Sequence, residues 1–200
     1  MPNKTYQIKI TLQGSKPSIW RRVVIPSDLS LPDFHKVIQT TMGWTNSHLH
    51  HFVKNRTYYS PEMEDESLWD EEDDDDLDYS NFKVSNLLKK EKDKMKYEYD
   101  FGDGWEHVIV LEKIIDESMD INDVTCLAGE NSCPPEDCGG LWGYYNMLEI
   151  LKDTDHEEYE EYIDWLSDEF DPTYFDIEEV NDMLGSEDFG TIDFTDFFLT

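Results

Sequence analysis

Polar and apolar positions follow two periods in the first third of the chain. Tyr6-Gln-Ile-Lys-Ile-Thr-Leu12 alternates with period two, which predicts a strand with one buried face. Gly14-Ser-Lys-Pro17 reads as a turn, and Ile19-Trp-Arg-Arg-Val-Val-Ile25 as a second strand stopped by Pro26, so the two form a hairpin. The period then lengthens. Leu31, Phe34, Val37, Ile38 and Met42 fall on one helical stripe, with Ser30 placed to cap its start and Pro32 and Asp33 suited to its first turn. Gly43 stands where a left-handed residue ends such a helix. Strand character returns at His48-Leu-His-His-Phe-Val53 and around Tyr58-Tyr59.

Strand, strand, helix, strand predicts an α+β fold: a small mixed sheet, β-grasp-like, with a helix across it and a C-terminal helical segment. A short helix is expected at Val84-Ser-Asn-Leu-Leu-Lys89. Further helices are expected over about 143–152, 155–168 and 176–184, broken at Asp171-Pro172 and capped by Asp176. The chain is expected to be a single domain over 1–200. Within it lie a sheet-and-helix core (1–115) with an acidic insertion at 62–78, a Cys/Pro/Gly loop (116–142), a helical part (143–185) and a tail (186–200) carrying Phe189, Phe194, Phe197 and Phe198.

The most informative stretch is Tyr97-Glu-Tyr-Asp-Phe-Gly-Asp-Gly-Trp-Glu-His107, a hairpin whose loop length sets which side chains share a face. A two-residue Asp103-Gly104 turn puts Asp100 across from His107 and splits the aromatic run over both faces. A three-residue loop, Gly102-Asp103-Gly104, pairs Phe101 with Trp105 and Tyr99 with His107. Tyr97, Tyr99, Phe101, Trp105, Ile109 and Leu111 then share one face, so the apolar pattern favours three. In that register Asp100 lies near Glu106, and His107 is a hydrogen-bonded core histidine rather than half of a carboxylate–imidazole pair.

Charge changes the picture. The formal net charge is −31, with 47 Asp/Glu against 16 Lys/Arg. Residues 1–60 carry eight Lys/Arg and two acids, a balance of +6, whereas 61–200 carry eight Lys/Arg and 45 acids, a balance of −37. Such a charge repels phosphate backbones and argues against nucleic-acid binding. What basic surface remains, Lys9, Arg21, Arg22, Lys54 and Arg56, is expected to pack against acidic parts of the same fold. Residues 62–78 are too densely acidic to pack and read as a solvated loop; a calcium site is the other reading, without the ligand spacing of an EF-hand. No apolar run is long enough to span a membrane, and the N-terminus passes straight into a strand pattern without an apolar signal segment, so a cytoplasmic location is expected.

Two groups of residues are candidates for chemistry. His48, His50, Asp100, Asp103, Trp105 and His107 are the candidate binding residues, with His48 and His50 expected on one strand face. As a metal-dependent enzyme site they would have to converge within one pocket. Cys126, Cys133 and Cys138 are wider apart than the thiolate pairs of most zinc sites, so zinc is one reading and reduced thiols in a Pro/Gly loop the other. No base stands beside a thiol at a spacing that would make it a nucleophile.

The motifs recur in a set. Ile19-Trp-Arg-Arg22, Leu31-x-x-Phe-His-x-Val-Ile-Gln39, Met42-Gly-Trp44, His48-Leu-His-x-Phe52, Tyr99-Asp-Phe-Gly-Asp-x-Trp-x-His107, Cys133-Pro-Pro-Glu-Asp-x-Gly-Gly140, Gly143-Tyr144 and Phe170-Asp-Pro-x-x-Phe-Asp176 stand in this order. Together they resemble the plasmid pRiA Orf-three-like family, over roughly residues 4–185. Leu141 stands where the resemblance implies proline, and 62–78 looks like an insertion. The family is met on plasmids and beside insertion elements, and the resemblance implies no established activity. A resolvase-like label applied to some members would need a basic DNA-binding helix and a nucleophile setting, and neither is seen. The expected function is therefore a non-catalytic interaction module with a protein partner, accessory to mobile elements. A metal-dependent enzyme built on the His/Asp residues is the alternative, and a nucleic-acid-binding protein ranks behind both.

Overall fold

A computed structural model describes residues 4–62, 76–166 and 170–191. Its framework is one eight-stranded mixed sheet, ordered β5-β4-β3-β6-β7-β1-β2-β8, with five α-helices. The fold is thus α+β as expected, but the sheet is not small. The strands are β1 (Thr5–Leu12), β2 (Trp20–Pro26), β3 (His50–Lys54), β4 (Thr57–Ser60), β5 (Asp76–Asp78), β6 (Lys94–Tyr99), β7 (Trp105–Ile115) and β8 (Thr125–Glu130). All neighbours pair antiparallel except β4 and β5. Helices α1 (Leu31–Met42), α2 (Val84–Leu87), α3 (Gly140–Ile150), α4 (Tyr159–Leu166) and α5 (Ile177–Leu184) complete it.

The ends of α1 follow from its sequence. Ser30 Oγ accepts the Asp33 N–H, proline occupies the first turn, and Gly43 takes the left-handed conformation at φ 85 that closes the helix. Asp176 caps α5 through the N–H groups of Glu178 and Glu179. Two assignments change. Asp76–Asp78, inside the stretch expected as a solvated loop, pairs with β4; residues 63–75 lie outside the described residues. The stretch expected as a Cys/Pro/Gly loop contains β8, a full edge strand beside β2.

Alternation sorts the sheet into two faces. One carries Ile8, Ile10, Val23, Ile25, Phe52, Tyr97, Tyr99, Trp105, Ile109 and Leu111, all buried in one core with Leu31, Phe34, Val37 and Ile38 of α1. Phe34 stacks on Phe52 at 5.8 Å and Trp44 on Tyr99 at 5.0 Å, tying α1 and the turn after it to the sheet. Each large aromatic here removes about 150–250 Å² from water. At roughly 25 cal/mol/Å² that is on the order of 4–6 kcal/mol per ring before side-chain entropy is subtracted. Arg21 also points into this side, its guanidinium donating to the carbonyls of Thr41, Trp20, Glu130 and Asn131 with Phe175 stacked on it at 4.2 Å. The other face carries Lys9, Trp20, Arg22, His51, Val53, Lys96, Glu98, Glu106, Val108, Val110 and Glu112, which keep contact with solvent.

The hairpin register is neither of the two considered. Tyr99 pairs with Trp105 and Tyr97 with His107, so Asp100 to Gly104 form a five-residue loop. The shift from the three-residue loop is two positions, which preserves the face. Tyr97, Tyr99, Trp105, His107, Ile109 and Leu111 do share the buried side. Phe101 does not: the longer loop turns it out, and it is 47% exposed. The cause is Asp100, at φ 54, whose backbone carbonyl accepts the Gly104 N–H and whose Oδ1 accepts those of Gly102 and Asp103.

Candidate functional site

Three motif segments meet at one end of the sheet: residues 44–50 after α1, the 99–107 hairpin, and the 133–140 loop. Their junction is built from hydrogen bonds. The Trp44 indole donates to the Pro134 carbonyl at 3.0 Å. Glu136 accepts from the hydroxyls of Tyr99 and Thr45 and from the Thr45 N–H. The Ser47 N–H donates to the Tyr99 hydroxyl at 3.0 Å. Burial first and Glu136 second push Tyr99 well above the ordinary tyrosine range, so it is a neutral donor. The Gly139 N–H donates to Asp103 Oδ2 at 3.1 Å. Gly140 lets the two backbones approach; a Cβ on it would stand 2.5 Å from the Asp103 carbonyl oxygen.

At the mouth of this junction His48 Nε2 faces Asp100 Oδ2 at 3.7 Å and Asp137 Oδ1 at 3.4 Å. The three ligand atoms all lie within 4.8 Å of one another, and this is the one such group of three or more His, Cys, Asp or Glu among the described residues. His48 Nε2 is buried and has no hydrogen-bond partner among the described residues. A carboxylate–histidine pair thus exists at Asp100, but with His48 rather than His107. Asp137 was absent from the candidate residues because only the tertiary fold carries its loop to the hairpin; its place inside the Cys133–Gly140 motif was the available signal.

The remaining candidates scatter. His50, the first residue of β3, lies on the buried face, stacked on His35 with ring centroids 3.5 Å apart and within 3.1 Å of the Tyr79 hydroxyl. His48 precedes the strand, so the two do not share a strand face. His107 is fully buried under the edge of Trp44, with Nδ1 3.3 Å from the Tyr97 carbonyl. Burial holds His107 down at about 4 and His50 well below the ordinary histidine value. Trp105 is core, and Asp103 supports the loop contact. Of the six side chains expected in one enzymatic pocket, His48 and Asp100 therefore meet, and His50, Trp105 and His107 lie apart in the core.

Nor do the thiols come together as a ligand group. Cys126 lies buried on β8, Cys133 packs on the Met42 sulfur at 3.6 Å, and Cys138 stands half-buried beside α3. Burial pushes the Cys133 and Cys138 thiols up to about 12, which leaves them protonated and poor nucleophiles. Of the basic residues, Arg21 is buried, Arg22 is paired with Glu112 at 2.6 Å, and the Lys54 ammonium donates to the Lys94 carbonyl. A cavity of about 430 Å³ opens elsewhere, between Ile19, Tyr144, Leu148 and Phe170, and none of the His48 group lines it. No helix among the described residues is long and apolar enough to cross a membrane.

The open face of the sheet is a second candidate surface. Its charges pair across strands: Arg22 with Glu112, Lys96 with Glu106 at 2.8 Å, and His51 with Glu98 at 2.6 Å. Lys9 and Arg22 lie over the Trp20 ring. At its β3 end the His51 ring packs between Tyr58 and Phe101, with centroids 4.9 and 4.8 Å away.

Comparison with known proteins places these features in a group. The family model described as plasmid pRiA4b ORF-3-like protein matches residues 4–179. The uncharacterized protein y4hQ of Sinorhizobium fredii is 35% identical over 178 residues, covering 88% of each chain. The crystal structure of MM3350, a protein of unknown function from Methanosarcina mazei, superposes with a TM-score of 0.75 at 37% identity, covering 88% of this chain and 97% of that one.

Proposed function

Because the chain belongs to the plasmid pRiA4b ORF-3-like family, and neither relative's name assigns an activity, we propose a function from the geometry: a non-catalytic interaction module that docks a cationic protein partner on the open sheet face. The observation that carries this is the aromatic end of that face, where Tyr58 and Phe101 stand 40% and 47% exposed around His51 beside a strip of cross-paired charges. Exposed aromatics next to satisfied polar pairs are what a protein interface requires at its centre. A net charge of −31 favours a cationic partner and disfavours a second copy of this chain. A role accessory to mobile elements accords with the plasmid in the family's description, and a cytoplasmic place with three free thiols. A β-grasp likeness belongs to the same proposal and is limited to the order β1, β2, α1, β3, since β6 and β7 stand between β3 and β1 in the sheet.

The test is co-purification from the cells that encode the chain. Tyr58→Ala/Phe101→Ala should lose a basic protein that the parent chain and Trp142→Ala both retain, Trp142 being 81% exposed on α3. Retention of the same protein by all three would overturn the docking face. Recovery of nucleic acid instead would overturn the partner class.

A further inference from the structure

We propose that His48, Asp100 and Asp137 form a site for one first-row divalent cation of borderline softness, such as zinc or cobalt, independent of the docking face. The separations select an ion over a hydrogen-bonded cluster. His48 Nε2 lies 3.7 Å from Asp100 Oδ2 and 3.4 Å from Asp137 Oδ1. Both exceed the ~2.7–3.2 Å of an N–H···O bond. Ligand atoms at bond lengths of ~2.0–2.2 Å around one tetrahedral ion stand about 3.4 Å apart. The imidazole nitrogen is buried without a hydrogen-bond partner among the described residues, which is costly for a polar atom and is relieved when its lone pair is donated to a metal.

The surroundings hold the ligands as a metal site needs. Asp100 is 8% exposed, and Oδ1 is occupied by the N–H groups of Gly102 and Asp103, which leaves Oδ2 aimed at His48. The Asp100 N–H donates to the Leu49 carbonyl, fixing the hairpin loop to the residue after His48. Asp100 and Asp137 both adopt left-handed backbones, at φ 54 and φ 61. Such conformations persist where the surroundings impose them. The Gly139–Asp103 bond and the close approach at Gly140 bring the Asp137 loop against the Asp100 loop.

The donor set gives the chemical class. One imidazole nitrogen with two carboxylate oxygens suits zinc or cobalt, whereas magnesium and calcium prefer all-oxygen shells. Asp137 is exposed, so the site opens to solvent on that side. Such an ion would join residues 44–50, the hairpin loop and the 133–140 loop at one point.

Cobalt(II) titration of the metal-free full chain tests the site, because its spectrum separates nitrogen and oxygen ligands from thiolates. One equivalent should bind with weak visible bands and no sulfur-to-cobalt charge-transfer band, and calcium should not compete. His48→Ala and Asp137→Asn should each weaken binding at least about ten-fold, with unchanged far-ultraviolet circular dichroism. Asp137→Asn keeps the test valid if the first variant folds poorly, since its side chain is 72% exposed. A charge-transfer band, full affinity in Asp137→Asn, or no saturable binding would overturn the site.

Discussion

His35, His50 and His107 are core side chains, and their protonation is set by what surrounds them. His35 Nε2 donates to Asn46 Oδ1 at 2.6 Å, so Nδ1 accepts from the Tyr97 hydroxyl, which in turn accepts from Gln39. Burial pulls His35 and His107 down to about 4 and His50 well below its ordinary value. On unfolding each returns to about 6.5. Between those values the unfolded chain binds protons that the folded chain refuses. This stability is complete above about pH 6.5 and is lost as pH falls toward 4. His107→Leu removes one such proton and a buried Nε2 that has no partner among the described residues. Denaturant unfolding at pH 7 and pH 5 should show the parent chain losing roughly 2 kcal/mol more than the variant over that interval. Equal losses would contradict the neutral buried ring. At this scale the sequence was legible for His107, which reads as core from its alternation, and not for His35, whose stack on His50 depends on how α1 crosses the sheet.

Elements with local signals were readable from the chain, and those that depend on distant packing were not. Ser30, Asp33, Gly43 and Asp176 state the ends of α1 and α5 in the sequence, and the structure has them there. The 100–104 loop is two residues longer than the alternation predicts, because alternation reports the face and not the loop length; Phe101 looks like core until Asp100 turns the chain. β8 carries little strand signal of its own in Cys-Leu-Ala-Gly-Glu and forms by pairing with β2. Its Gly129 is needed by a neighbour, since a Cβ there would stand 2.6 Å from the Phe175 ring. The 133–140 loop folds back locally on the first turn of α3. A Cβ on Gly143 would stand 1.8 Å from the Cys138 carbonyl oxygen, with no flexible side chain to yield. Gly143→Ala should therefore cost more than about 2 kcal/mol, seen in thermal or denaturant unfolding. It should also loosen the Glu136 contacts, read as a change in Trp44 fluorescence. A loss below about 0.5 kcal/mol, the size of an ordinary surface change, would show that the loop is not packed this way.

For the whole molecule, the distribution of charge and of exposed rings matters more than any single residue. Residues 61–200 carry nearly all of the negative charge, yet the open sheet face gathers Arg22, His51 and Lys96 from either side of that boundary and matches them with Glu112, Glu98 and Glu106. An anionic body steers cationic proteins toward it, and in the proposed docking a face whose charges are already paired would meet them at low desolvation cost. The composition disclosed the anionic body. It did not disclose the face, because the pairing of Arg22 with Glu112 and of Lys96 with Glu106 is a property of strand register. The most direct measurement is photo-crosslinking in the cells that encode the chain, with a photoreactive residue placed at Val110 on the open face or at Trp142 on α3. A discrete adduct with a basic protein from Val110, weakened by salt and absent from Trp142, is the predicted result; an adduct from Trp142 alone would contradict the docking face.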